Sequence, residues 1–153
     1  MAVKETALMA DSDPLLFDNQ ICFSLYSAAN AVVRAYRPLL KELDLTYLQY
    51  MTLMLLWESS PRNVKELGEH LGLDSGTLTP LLKRLEAKGL VTRGRDEKDE
   101  RVRVIAITRQ GMALREKAAD IPRQLACTLG LEKSKVLQIK QSCQELLAAL
   151  NEN

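Results

Sequence analysis

Apolar residues at Ile21, Leu25, Ala28, Ala29, Val32 and Ala35 recur at intervals of three and four, uninterrupted by Gly or Pro, and predict a helix over Phe17–Arg37. Pro38 either ends that helix or opens a short one over Leu39–Leu43. Thr46 has the chemistry of an N-cap, and the Leu- and Met-rich run behind it predicts a third helix, Tyr47–Trp57. Ser59-Ser60-Pro61-Arg62 is a break.

A compact unit follows. Asn63 caps a helix that stops near Gly72, with Glu66 at capping-box spacing. Asp74 or Ser75 caps the next helix, whose Leu78, Leu81, Leu82 and Leu85 face one way. Two short helices joined by a few residues containing Gly are a helix-turn-helix. Gly89 terminates the second helix, and two β-branched stretches, Leu90–Arg95 and Val102–Thr108, flank a charged tip and predict a β-hairpin. Thr108 caps a long helix from Arg109 toward Thr128, bent near Pro122; Gly130 breaks it before a last helix, Glu132–Leu150. The fold class is therefore mainly α with a small β-hairpin, an α+β winged helix-turn-helix.

The 153 residues are one domain by length, with an ordinary 46% of hydrophobic and 27% of charged residues. Residues 1–14 are polar and acidic, without the apolar stretch of a signal peptide, and are expected to be flexible. With no apolar run approaching a membrane span, the expected compartment is the cytoplasm, where thiols stay reduced. Three dispersed cysteines and one histidine, His70, offer no zinc site, no Cys-His nucleophile pair and no cofactor site, so an enzyme is not expected. The net charge is only +1, but its distribution is uneven: residues 1–60 carry a balance of −3 and residues 83–109 a balance of +4. A neutral protein with one basic segment can hold nucleic acid through it.

Helix-turn-helix plus basic hairpin is the plan of a DNA reader. The second helix suits a major groove, with the Ser75, Thr77 and Thr79 hydroxyls near its start, Pro80 behind them, and Lys83, Arg84 and Lys88 toward the backbone. The hairpin would be the wing, with Arg93 and Arg103 on its strands and Arg101 at a tip suited to a narrow minor groove. The plainer alternative is a small helical subdomain with a solvated charged loop.

Over nearly its whole length the chain resembles the MarR family of winged-helix repressors. The resemblance is carried by Leu67-Gly68-Glu69-His70-Leu71, by Thr77–Val91, and by Asp99-Glu100-Arg101 leading to Ile107-Thr108-Arg109-Gln110-Gly111. It implies a homodimer on double-stranded operator DNA, with residues 15–60 and 109–153 as dimerisation helices and 63–108 as the DNA-binding region. It also implies that Asp99 orients Arg101 in the wing.

Cys22 in the first helix, with Tyr26, Tyr36 and Tyr47, resembles the organic hydroperoxide resistance regulator branch of that family. The resemblance implies that Cys22 is the oxidised thiol and that the tyrosines hydrogen-bond to it. Chemistry supports this: peroxides are attacked by thiolates, phenols can donate to a thiolate, and Phe23, Leu25 and Met51 supply an apolar surround. An isolated Cys in an apolar helix is otherwise most often a small buried hydrophobe. Cys22 and Tyr36 are fourteen residues apart, roughly 21 Å along a helix at about 1.5 Å per residue, so a contact between them must cross subunits. Two-cysteine members of the branch resolve the oxidised thiol with a cysteine from the C-terminal region. That leaves Cys127, near the Gly130 break, and Cys143, beside Ile139 and Leu147; Cys127 is favoured.

The expected function is a repressor that holds its operator when reduced and lets go when an organic hydroperoxide oxidises Cys22. One alternative is a repressor released by a small aromatic ligand, and another is a thiol peroxidase using Cys22 and Cys127.

Overall fold

A computed structural model describes residue 13 and residues 15–151; the flexible start expected for residues 1–14 lies almost wholly outside the described residues. A 3-10 turn, Phe17–Asn19, precedes α1 (Ile21–Lys41) and α2 (Tyr47–Glu58). Next come β1 (Arg62–Asn63), α3 (Val64–Leu71), α4 (Ser75–Ala87), β2 (Val91–Arg95) and β3 (Arg103–Ile107). The chain closes with α5 (Arg109–Ala118), α6 (Ile121–Leu129) and α7 (Lys133–Asn151). Among the described residues no helix is long and apolar enough to cross a membrane.

The core forms around α2, which is apolar on nearly every side and so must be enclosed. Leu53 and Leu56 of α2 meet Leu40 of α1, Leu67 of α3, Leu78 and Leu85 of α4, and Ile105 of β3, all but sealed from solvent. The Thr52 hydroxyl, fully buried there, donates to the carbonyl of Leu48 at 2.8 Å and so carries no unmet polar cost. Side chains cap the helix starts that the sequence predicts, although at Asn63 the cap is one-way and Glu66 does not complete the capping box its spacing suggests. Thr46 and Gln49 form a reciprocal capping box, Asn63 accepts from the Glu66 N–H, Asp74 from Thr77 and Thr108 from Gly111.

Four local expectations are corrected. The first helix begins at Ile21, because Phe17–Asn19 closes into its own 3-10 turn. It then runs through Pro38 without ending, its last turn held by buried Leu40. The long helix expected from Arg109 to Thr128 is two helices: α5 stops at Ala118, and Pro122 sits in the first turn of α6, where a missing N–H costs nothing. Arg62 belongs not to a break but to β1, which pairs with β3 (Arg62 opposite Ile105, Asn63 opposite Val104). Two residues are too few to show a periodicity.

The sheet is antiparallel in the order β1-β3-β2, so β2 is an edge strand. At the root of the hairpin, α5 comes so close to β2 that a Cβ on Gly111 would stand 2.1 Å from the carbonyl oxygen of Leu90. Only glycine fits there.

Candidate DNA interface and thiol site

The helix-turn-helix is α3, the turn at Gly72 (φ 62°) and α4. Helical periodicity divides α4 cleanly: Leu78, Leu81, Leu82 and Leu85 are buried, while Ser75, Thr77, Thr79, Pro80, Lys83 and Arg84 are exposed on the outer face. The exposed set is the one the sequence nominates for DNA. The α4 helix ends at Gly89 (φ 71°), with the N–H of Leu90 bonded back to Leu85 at 3.1 Å.

The wing pairs Val91 with Ile107 through Arg95 with Arg103. Its tip is built on carboxylates. Asp96 accepts from the N–H groups of Lys98 (2.8 Å) and Asp99 (3.1 Å). Asp99 accepts from the N–H, Nε and Nη2 of Arg101 at 3.0, 3.1 and 3.3 Å. The Arg101 side chain, followed by its N–H, holds the Asp99 carboxyl below its ordinary range. Arg101 itself is 91% exposed, so the carboxylate aims an otherwise free guanidinium into solvent. Arg103 is exposed on β3, whereas Arg93 is engaged by Glu86 of α4, Nε to Oε2 at 2.6 Å. Lys88 is also held inside the chain, by the Asp44 carboxylate (2.9 Å) and by the Asp44 carbonyl.

The three cysteines are free thiols. Cys22 and Cys127 are exposed and Cys143 is half-buried. Cys22 occupies the first turn of α1 among exposed apolar neighbours, with Ile21 at 53%, Phe23 at 44% and Tyr26 at 66% exposure. Tyr26 follows Cys22 by one helical turn. Tyr36 and Tyr47 lie elsewhere, packed together with ring centroids 5.0 Å apart near the far end of α1. Because α1 is one unbroken helix, the Cys22–Tyr36 separation of roughly 21 Å holds within a chain. Sequence reasoning missed Tyr50, which is buried 5.8 Å from Tyr36 and 6.1 Å from Trp57. Its place on the enclosed helix α2 was the available signal. Burial first, then neighbouring phenols, raises Tyr36 and Tyr50 above the ordinary phenol value, so both remain protonated donors at neutral pH.

Cys127 lies on α6, one turn after Arg123, which Asp120 holds at 2.6 Å. Cys143 lines a small cleft between α7 and the start of α1 together with Ile21 and Leu25, the residues flanking Cys22. A larger, mostly apolar cleft of about 810 Å³ opens between α1 and α2, with Val33, Pro38, Leu45 and Tyr47 in its walls and Arg37 and Lys41 among its polar lining. On α7, Leu137, Ile139, Leu147 and Leu150 are 45–65% exposed.

The profile of the transcriptional regulator SarA/Rot family matches residues 34–118. The organic hydroperoxide resistance transcriptional regulator of Bacillus subtilis is 46% identical over 92% of this chain and 95% of its own length. Among solved structures, reduced AbfR bound to DNA is 34% identical, with a TM-score of 0.73 over 87% of this chain and 93% of that one. The disulfide form of AbfR, a Staphylococcus epidermidis protein, is likewise 34% identical, with a TM-score of 0.60 over 85% and 91%.

Proposed function

Because the chain belongs to the SarA/Rot family of transcriptional regulators, with a MarR-like winged-helix fold, we propose that it is a cytoplasmic, redox-sensing repressor that grips operator DNA as a reduced homodimer and lets go when an organic hydroperoxide oxidises Cys22. Its relatives are DNA-binding regulators rather than enzymes, which sets the thiol peroxidase alternative aside. The carrying observation is the position of Cys22. It is an exposed thiol in an apolar first turn, in a chain 46% identical to a hydroperoxide regulator.

DNA is held by α4 in the major groove, through Ser75, Thr77, Thr79 and Pro80 at its start and Lys83 and Arg84 further along. The wing contributes Arg101, aimed by Asp99, and Arg103. The dimer is formed by the apolar surfaces that one chain leaves open on α1 and α7. Such surfaces are too extensive to leave in water on a monomer. In the dimer, Tyr36 and Tyr47 of one chain approach Cys22 of the other, with Tyr26 one turn away.

In the chemical step, the Cys22 thiolate attacks the outer peroxide oxygen and the O–O bond breaks. The alkoxide leaves and takes a proton to become an alcohol, while Cys22 becomes a sulfenic acid. The sulfur supplies the two electrons that reduce the peroxide. The Cys127 thiolate of the partner subunit then attacks the sulfenic sulfur, and water departs as the disulfide forms. Cys127 is favoured over Cys143 because it is exposed and sits just before the Gly130 break, where a helix end can move. The bridge re-spaces the two recognition helices, which must match half-sites about one helical turn apart.

A second reading, release by a small aromatic ligand, is favoured by the apolar cleft between α1 and α2. One experiment separates the two. Gel shifts are run with reduced wild-type protein and with the Cys22→Ser, Cys127→Ser and Cys143→Ser variants, before and after an organic hydroperoxide, beside a non-reducing gel. Release and a covalent dimer that need Cys22 and Cys127 support the proposal. Release that persists in Cys22→Ser overturns it, and release by a phenolic ligand without oxidant establishes the second reading.

A further inference from the structure

Arg93 is one of the basic residues that the sequence nominates for DNA, yet its guanidinium is already engaged. Its Nε lies 2.6 Å from Oε2 of Glu86, the penultimate residue of the recognition helix. Both side chains are little more than one-third exposed. Alternation along β2 puts Arg93 on the same face as buried Val91, toward α4 rather than away from it. The pair spans a cleft between α4 and the hairpin, lined by Thr79, Leu82, Arg103 and Val104 as well.

We propose that Arg93 acts on DNA through Glu86: the ion pair sets the angle of the wing to the recognition helix, and Arg93 is a positioning residue rather than a phosphate contact. Three observations support this. The short charge-assisted bond spends the Arg93 charge on Glu86, leaving little to displace counterions from DNA. The strand that carries Arg93 is an edge of the sheet: β3 pairs with it on one side and no strand lies beyond it on the other, so only side chains can tie that edge to α4. Arg93 therefore supplies an outer tie between β2 and α4 beyond the buried root at Leu90 and Val91. Leverage makes the tie matter. At about 3.3 Å per residue the wing tip reaches roughly 15 Å past Arg93, so a tilt of about 10° carries Arg101 some 2.5 Å off target.

The test uses full-length reduced protein and a duplex selected from a random-sequence library by the wild-type chain, with binding followed across a KCl series. Glu86→Gln and Arg93→Gln are each expected to weaken binding up to about fivefold, as an exposed ion pair can, and to leave the slope of log Kd against log [KCl] unchanged. The charge-exchanged E86R/R93E double variant is expected to recover most of the loss. If Arg93 instead holds a phosphate, Glu86→Gln frees it. Binding then stays equal or tightens, and Arg93→Gln lowers the slope by about 0.9. Either result, or an exchange variant that recovers nothing, overturns the proposal. The inference rests on the DNA-binding reading above: a wild-type chain that selects no duplex overturns both, whereas a wild type that binds while Glu86→Gln is unimpaired overturns this one alone.

Discussion

The indole Nε1 of Trp57 donates a hydrogen bond to the backbone carbonyl of Gly111 at 2.9 Å, joining positions 54 residues apart in the chain. Trp57 lies in the last turn of α2, and its ring meets Tyr50 edge-on, which in turn packs beside Tyr36. Gly111 lies in the first turn of α5, against the carbonyl of Leu90 at the root of the wing. One contiguous set of contacts thus runs from the tyrosines of α1 and α2 to the base of the hairpin. Lys88, clasped by Asp44, makes a second tie between the α1–α2 turn and the end of the recognition helix.

Removing the Trp57 hydrogen bond while keeping a ring, as in Trp57→Phe, leaves the Gly111 carbonyl without this donor. The expected loss is about 1–2 kcal/mol of stability by urea unfolding. Trp57 is the single tryptophan of the chain, so its fluorescence reports on this junction. The emission is expected to shift when an organic hydroperoxide is added to wild-type protein and to stay constant in Cys22→Ser.

Gly111→Ala places a methyl group 2.1 Å from the backbone oxygen of Leu90, which also accepts the N–H of Thr108 and so cannot shift without disturbing that bond. Overpacking of this kind is expected to cost about 3 kcal/mol or more, seen as a large fall in the urea midpoint. A change of similar size at Gly72, where nothing lies within 4 Å of an added Cβ, would have to come from its positive φ alone.

The Asp99 carboxyl is held below its ordinary range by Arg101. A depressed carboxylate keeps its contact at neutral pH and loses it only as pH falls through the lowered value. An NMR titration of the Asp99 carboxyl is expected to place that midpoint below the usual carboxylate range and to return it there in Arg101→Gln. Asp99→Asn is expected to weaken DNA binding by leaving Arg101 unaimed.

Tyr36 and Tyr50 are raised above the ordinary phenol value by burial. The folded state therefore holds their protons more tightly than the unfolded chain does. The stability this confers is complete below about pH 10 and is lost as pH rises through the folded values. Tyr36→Phe is expected to flatten the alkaline limb of a urea-midpoint profile.

The open apolar surface of α7 is the expected seat of the proposed dimer contact. Leu147→Glu, at a side chain 59% exposed in the single chain, is expected to leave helicity by circular dichroism unchanged. Sedimentation equilibrium should then show a shift toward monomer, with loss of operator binding as the two half-site grips separate.

Much of the protein was legible in the order of its residues. Thr46, Asn63, Asp74 and Thr108 cap helices because their side-chain oxygens reach free N–H groups a few residues ahead, a local event that spacing announces. The division of α4 into a buried leucine face and an exposed hydroxyl and basic face is likewise local, fixed by 3.6 residues per turn. So is the distance that keeps Cys22 from Tyr36 within one helix. What the sequence could not decide were contacts made across the fold. The two-residue strand β1 exists only because β3 offers it a partner, and α1 continues past Pro38 into a last turn that buries Leu40 in the core. Arg93 and Arg101 are the same residue type in the same basic hairpin, and no periodicity separates them. Only the packing of the wing on α4 brought Glu86 to Arg93 while leaving Arg101 aimed at solvent, because an ion pair depends on distance in space and not along the chain.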